Sequence, residues 1–225
     1  VVLVAGTGTE VGKTWVTARL LEAWRAAGLS VAARKPAQSG EPGAGPTDAE
    51  VLGAASGEDP TVVCRPARSY PLALAPPMAA EALGLAPPTV AELVAELAWP
   101  PGGVDVGVVE TAGGVRSPQA DDGDVTDMVG AIAPDHVVLV GDAGLGTVNA
   151  VRLALAALTD GSPPRPPPPR PFVVLNRFDD ASDLHRRNLA WLRDRDGACV
   201  VAASPAGLDV LADRLSRRRP PPGRR

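Results

Sequence analysis

Short runs of β-branched residues alternate along the chain with longer stretches rich in Ala and Leu. The runs predict strands at residues 1–5, 31–35, 104–110, 136–142, 171–176 and 198–203, and the longer stretches predict helices at 13–27, 48–56, 89–98, 124–132, 147–158, 182–195 and 207–216. Val137-Val138-Leu139-Val140 is apolar at every position, as a strand covered on both faces requires. In the first helical stretch Val16, Leu20 and Trp24 recur at four-residue spacing, and Gly28 stands just past its end, where a helix C-cap favours left-handed backbone. Strands alternating with helices predict an α/β fold, a doubly wound, mainly parallel sheet with helices on both faces.

The chain of 225 residues and 22.9 kDa suits one domain with a sizeable core, expected at 1–216. Two segments break the pattern. Residues 163–171 hold seven prolines in nine positions and are expected to form an extended connector between a helix and the next strand. Residues 217–225 are an Arg- and Pro-rich tail expected to be disordered. The chain opens without Met on a strand-like run, so a short preceding segment is expected.

Charge narrows the partners. Residues 1–213 carry 16 basic and 26 acidic side chains, a net charge of −10, which disfavours a phosphate backbone and argues against nucleic acid. No apolar run approaches the length of a membrane span, so no membrane role is expected. Cys64 and Cys199 lie far apart with no metal-binding spacing, which points to reduced thiols in the cytoplasm. His136 and His185 lack partners at metal-ligand spacing and read as structural or solvent-facing; Asp121-Asp122-Gly123-Asp124 reads as a solvated loop and helix cap. Trp15, Trp24, Trp99 and Trp191 read as helical core residues.

Chemistry concentrates in the opening. Gly6-Thr7-Gly8-Thr9-Glu10-Val11-Gly12-Lys13-Thr14 lies between a predicted strand and a predicted helix. Backbone N–H groups of such a loop form an anion nest, to which the helix N-terminus adds partial positive charge. In this P-loop arrangement Lys13 reaches the terminal phosphates and the Thr14 hydroxyl serves Mg²⁺. The strict motif has Gly where this chain has Thr7; here the glycine is Gly6, so the loop is longer by one residue. Of 22 basic residues only Lys13 and Lys35 are lysines, and both are predicted at the C-terminal edge of the sheet, where doubly wound folds bind ligands. Lys35 is followed by Pro36, which holds it extended and ends the strand, with Ser39 close behind. Glu110 ends a hydrophobic strand in the manner of a Walker B acid, and Asp48 opens a helix; both suit a hard cation, although an acid at Asp48's position is also an ordinary helix-start residue.

These motifs, with Lys35-Pro36-Ala37-Gln38-Ser39-Gly40, Glu110-Thr111-Ala112-Gly113-Gly114, Leu145-Gly146-Thr147-Val148-Asn149 and Asn176, occur in the order found in the dethiobiotin synthetase family, which the chain resembles over most of its length. The resemblance implies a P-loop NTPase-like fold and a homodimer with its active site at the subunit interface. It implies that 7,8-diaminononanoate, CO₂ or bicarbonate, and a nucleoside triphosphate, ATP with Mg²⁺, give dethiobiotin, ADP and phosphate. Carried over residue by residue, Lys13, Lys35 and Thr9 are catalytic; Ser39 and Thr9 hold the diamine or carbamate end; Thr147, Val148 and Asn149 hold the substrate carboxylate from the partner subunit. Thr14, Asp48 and Glu110 serve the metal. The nucleotide is contacted by Glu10, Val11, Gly12, Lys13, Thr14, Trp15, Asp48, Glu110, Thr111, Ala112, Gly113, Asn176, Arg177, Pro205, Ala206 and Gly207. Thr111 stands where the family usually has Gly and is expected to add a hydroxyl beside the γ-phosphate or carbamate pocket; Ala150 stands where a His is common. Asn176-Arg177-Phe178-Asp179 is similar to the base-reading motif of GTPases, which leaves the preferred base open among ATP, GTP and CTP. Two competing readings are a partition- or septum-site-type switch ATPase, whose signature lysine early in the loop is absent at Thr7, Gly8 and Thr9, and a cobyrinate amidase-like ligase, whose glutaminase domain this length does not accommodate.

Overall fold

The computed structural model describes residues 1–159 and 170–216. Six strands form one parallel sheet: β1 (Val2–Gly6), β2 (Val31–Arg34), β5 (Val106–Glu110), β6 (His136–Asp142), β7 (Phe172–Asn176) and β8 (Cys199–Ala202), in the order β2-β5-β1-β6-β7-β8. β1 lies inside the sheet, with Val2 opposite Val108 of β5 on one side and His136 of β6 on the other. Its five residues are buried, as its unbroken apolar sequence requires. Alternate residues go to opposite layers. Val2 and Val4 pack with Val16, Leu20 and Trp24 of α1 (Lys13–Ala26), Leu52 of α2 (Asp48–Ser56) and, near the chain's end, Leu211. Leu3 and Ala5 pack with Val125, Val151 and Leu192 on the other face. The connections on that face are α6 (Val125–Ile132), α7 (Thr147–Thr159) and α8 (Asp183–Asp194), while α9 (Pro205–Ser216) lies with α1.

Between β2 and β5, apart from α2, the chain builds small elements that the periodicity does not announce: α3 (Pro60–Val63), α4 (Pro76–Ala82) and α5 (Val90–Ala95), with β3 (Gln38–Ser39) and β4 (Ser69–Tyr70) paired in parallel. They close over a satellite core of Ala37, Tyr70, Ala79, Leu93 and Met128. Elements of two to seven residues are too short to show a hydrophobic period. The helix expected at 89–98 shrinks to α5, started by a Thr89–Glu92 capping box and ended well before Pro100. α9 begins two residues earlier than expected, with Ser204 accepting at its start and Pro205 in the first turn.

Only Trp24 among the tryptophans is a core residue on a helix; its Nε1 donates to Ala212 O at 2.9 Å. Trp15 and Trp191 are half exposed, and Trp99 lies beyond α5, packed on Gly107 and under Arg34. The expectation of four core tryptophans is therefore corrected: helical position alone does not fix which face a residue takes. Asp124 caps α6 as expected, and Cys64 and Cys199 are free thiols. The expected proline connector lies outside the described residues up to residue 169, as does the tail at 217–225. No helix among the described residues is long and apolar enough to cross a membrane.

Candidate active site

The parallel strands deliver Gly6, Arg34, Glu110, Asp142 and Asn176 to one edge of the sheet. Beyond β1 the chain forms the glycine loop and enters α1 at Lys13. The Thr7 N–H donates to Val140 O at 2.8 Å, after which the loop leaves the sheet. A Cβ on Gly6 would lie 2.9 Å from Gly8 O and 3.0 Å from Lys13 Cδ, so its absence makes room for the lysine to fold into the loop. Lys13 Nζ donates to Gly8 O at 3.1 Å. Gly12 adopts φ +87°, and a Cβ there would meet Asn176 Nδ2 at 1.9 Å.

Beside the loop, Lys35 emerges from the end of β2 into a ring of oxygens. Its Nζ lies 2.6 Å from Asp48 Oδ2, 2.8 Å from Glu110 Oε1 and 3.3 Å from Thr111 O, which accounts for all three ammonium protons. The Thr14 hydroxyl stands 2.7 Å from Asp48 Oδ1 and 2.9 Å from Glu110 Oε1; its single proton serves one of them. Thr17, one helical turn further, donates to Glu110 Oε2 at 2.6 Å. Lys35 and Glu110 are fully buried, whereas the Asp48 side chain is 41% exposed and faces the cleft.

The two lysines sit in opposite electrostatic settings. Burial, and then the Lys35 charge, push the Lys13 ammonium down to about 8. Burial opposes the Lys35 charge too, but Glu110 and Asp48 outweigh it and hold that ammonium well above the ordinary lysine value. Asp48, although burial works against its charge, is drawn below the usual carboxylate range by Lys35. Both lysines face the same cavity.

A cavity of about 850 Å³ opens over this cluster. Thr9, Glu10, Gly12, Lys13, Thr14, Lys35, Ser39, Asp48, Ala112, Gly113 and Arg177 all line it, joined by an apolar wall of Ala73, Leu74, Ala75 and Pro76 from the stretch before α4. Ser39 Oγ donates to Leu74 O at 2.5 Å, tying β3 to that wall. Thr111 departs from expectation: it is fully buried and its hydroxyl donates to Val4 O at 3.1 Å, away from the cavity. The pleat alternates sides, so Glu110 and Thr111 point apart. Three buried supports escape sequence reading: Thr17; Gln38, which bridges Ser69 Oγ and the Ala49 N–H; and Gln119, hydrogen-bonded to Ala112. Only Thr17 carried a signal, its place one turn past Lys13 on the same helix.

The remaining predicted residues lie along the edge, and of these only Arg177 reaches this cavity. Asn176 Nδ2 donates to Val11 O at 3.0 Å, and Arg177 braces the loop through Glu10 O at 2.7 Å while pairing with Asp142 at 2.9 Å. Trp15 and, at the start of α9, Pro205, Ala206 and Gly207 do not line the cavity. Gly207 fits because a Cβ would lie 2.3 Å from Ala202 O. Thr147, Val148 and Asn149 open α7; Thr147 Oγ1 is the one buried side-chain oxygen or nitrogen without a hydrogen-bond partner among the described residues.

Thr14, Asp48 and Glu110 offer a hydroxyl and two carboxylates at one spot, hard oxygen donors that suit Mg²⁺. No group of three or more His, Cys, Asp or Glu among the described residues is placed to cage a metal by itself. The set fits an ion held by few protein oxygens together with substrate phosphates.

A sequence profile of the AAA domain family matches residues 1–167. The chain is 39% identical over 214 residues to an ATP-dependent dethiobiotin synthetase from Rhodococcus jostii, covering 94% of this chain and 89% of that one. It is 38% identical over 199 residues to an ATP-dependent dethiobiotin synthetase from Anaeromyxobacter dehalogenans, covering 84% and 87%. Among solved structures it is similar to the signal recognition particle receptor FtsY from Elizabethkingia anophelis, with a TM-score of 0.52 at 16% identity, covering 96% of this chain and 65% of that one. The last likeness speaks for the fold alone.

Proposed function

The chain belongs to the ATP-dependent dethiobiotin synthetase family, and on that premise we propose how its own residues divide the work of ATP-dependent urea-ring closure. It is a ligase that forms carbon–nitrogen bonds at the expense of ATP. The observation that carries the reading is the convergence of Lys13, Lys35, Thr14 and Asp48 on one cavity, with buried Glu110 behind them in contact with Lys35 and Thr14.

One amine of 7,8-diaminononanoate takes up CO₂ and loses a proton, giving a carbamate. The carbamate oxygen attacks the γ-phosphorus and ADP leaves; the second amine then attacks the activated carbonyl, loses its proton and expels phosphate, closing the ring. Charge builds on phosphoryl and carbamate oxygens, so fixed cations and positioning supply most of the catalysis. Lys13, with one carbonyl partner, is free to turn to the terminal phosphates. Lys35 supplies a fixed cation whose Asp48 partner reaches the open cleft. Thr9 and Ser39 orient the diamine or carbamate, and the apolar wall at 73–76 takes the aliphatic chain. Thr14, Asp48 and Glu110 would hold Mg²⁺, which when bound would neutralise charge on the phosphate oxygens. Glu10, Val11, Gly12, Trp15, Ala112, Gly113, Asn176, Arg177 and residues 205–207 accompany the rest of the nucleotide along the sheet edge; buried Thr111 contributes through its carbonyl on Lys35.

The substrate carboxylate is received at the N-terminus of α7 by Thr147, Val148 and Asn149 of a second subunit. Two observations support a homodimer built this way: the partnerless Thr147 hydroxyl, and Leu145 and Leu153, which are 92% and 65% exposed beside it. The free thiols fit a cytoplasmic setting. The test is release of ADP and phosphate in the presence of bicarbonate, with and without the diamine, across ATP, GTP and CTP. Release that requires the diamine and yields dethiobiotin is expected; release indifferent to the diamine overturns the reading.

A further inference from the structure

Behind the cavity wall, the segment after Glu110 is tied down one peptide at a time. The Thr111 N–H donates to Val4 O at 3.0 Å, and Thr111 O accepts from Lys35. Both backbone groups of the next residue are taken by a single side chain: the Ala112 N–H donates to Gln119 Oε1 at 2.9 Å, and Ala112 O accepts from Gln119 Nε2 at 2.7 Å. The other proton of Nε2 goes to Ser117 O at 3.1 Å. Gln119 is 4% exposed, and its amide grips Ala112 as a neighbouring strand would. Its mount is firm, since the N–H groups of Gln119 and Ala120 both donate to Gly123 O just before Asp124 caps α6.

What Gln119 holds is part of the cleft. Ala112 and Gly113 line the cavity, and a Cβ on Gly114 would stand 3.3 Å from both Thr7 O and Gly8 Cα. A shift of the Ala112 peptide is therefore passed directly to the phosphate loop. We propose that Gln119 is a positioning residue for the reaction: gripping Ala112 from behind, it fixes residues 112–114 against Thr7 and Gly8 and so sets the approach of the carbamate oxygen to the γ-phosphorus. This role rests on the phosphoryl-transfer reading above. A purely structural glutamine would lower stability while leaving chemistry and nucleotide binding in their original ratio.

The test uses the full chain and its Gln119→Leu and Gln119→Glu variants. Diamine-dependent ADP release is followed from pH 6 to 9, binding of a non-hydrolysable ATP analogue is measured separately, and amide exchange at Ala112 is read in the wild type. Gln119→Leu is expected to lower kcat by roughly ten- to a hundredfold, with analogue affinity changed by less than about threefold. In Gln119→Glu the ionised carboxylate faces Ala112 O and Ser117 O without a donor, while its protonated form can donate again; its kcat relative to wild type should therefore rise as pH falls. The Ala112 amide should exchange slowly. Unchanged kcat in Gln119→Leu, kcat and affinity falling in parallel, or a flat pH ratio would overturn the role. Should the variants not fold, fast exchange at Ala112 in the wild type overturns the grip and slow exchange upholds it. A wild-type chain that releases no ADP with the diamine overturns the substrate reading and the catalytic consequence of the grip; rapid Ala112 exchange in an active chain overturns the grip alone.

Discussion

The phosphate loop and the end of β2 each present one lysine to the same cleft, and the two are built on opposite plans. Lys13 is buried with one carbonyl acceptor, and its charge is disfavoured. Lys35 has two carboxylates and a carbonyl, and its charge is locked in. An ammonium short of partners gains most from an arriving phosphate, whereas one already saturated contributes a fixed position and field. The site thus separates a cation that recruits the anion from one that orders the surrounding acids. Neither role suits a guanidinium, whose planar fork cannot enter a turn as tight as the glycine loop or meet three convergent oxygens.

The contrast can be broken by substitution. Lys13→Ala and Lys35→Arg should each reduce turnover by several orders of magnitude, on the order of a thousandfold or more, with the fold retained by circular dichroism. Wild-type rates in Lys35→Arg would remove the geometric role of that ammonium. Glu110→Gln takes a directly paired carboxylate from Lys35 but only a through-space charge from Lys13. It should cost stability approaching the roughly 3–5 kcal/mol typical of a broken buried pair, less what Asp48 retains, visible as a lower Tm; an unchanged Tm would show that the pair is not the anchor.

Acidity sharpens the contrast further. Free Lys13, held at about 8, is half deprotonated near pH 8, and bound phosphates favour the charged form, so nucleotide binding takes up protons as pH rises through that value. Affinity contributed by Lys13 is complete well below pH 8 and falls as pH rises through and beyond that value, by up to about tenfold per unit, in calorimetric titrations with ATP. Lys35 adds no such dependence. A smaller effect is expected at α7, away from both lysines. Thr147→Asp should weaken diamine binding about fivefold by repelling its carboxylate; unchanged affinity would remove that helix end from the site.

Much of the phosphate half was legible because its chemistry is local. The glycine loop, Lys13 and Thr14 are contiguous, and the acids end a strand or start a helix, positions a hydrophobic pattern can locate. The supports were not legible, since Thr17 meets Glu110 across 93 positions and Gln119 earns its partners only after a turn folds it back on Ala112. Thr111 departs from expectation because, one residue past the end of β5, its side chain points away from that of Glu110. At the end of β7 the side chains of Asn176 and Arg177 brace the loop, and contacts made by backbone leave little trace in residue type.

Two ammonium groups share one cleft, and the chain contains only those two lysines. Labelling lysine ε-carbons and titrating by NMR, with and without ATP and Mg²⁺, yields one signal for each. One inflection near pH 8 that moves upward when nucleotide is added, beside a second group that stays charged far into the alkaline range, is the predicted result. Two groups titrating together near the ordinary value of 10.5, or a Lys13 inflection that nucleotide leaves in place, would contradict it.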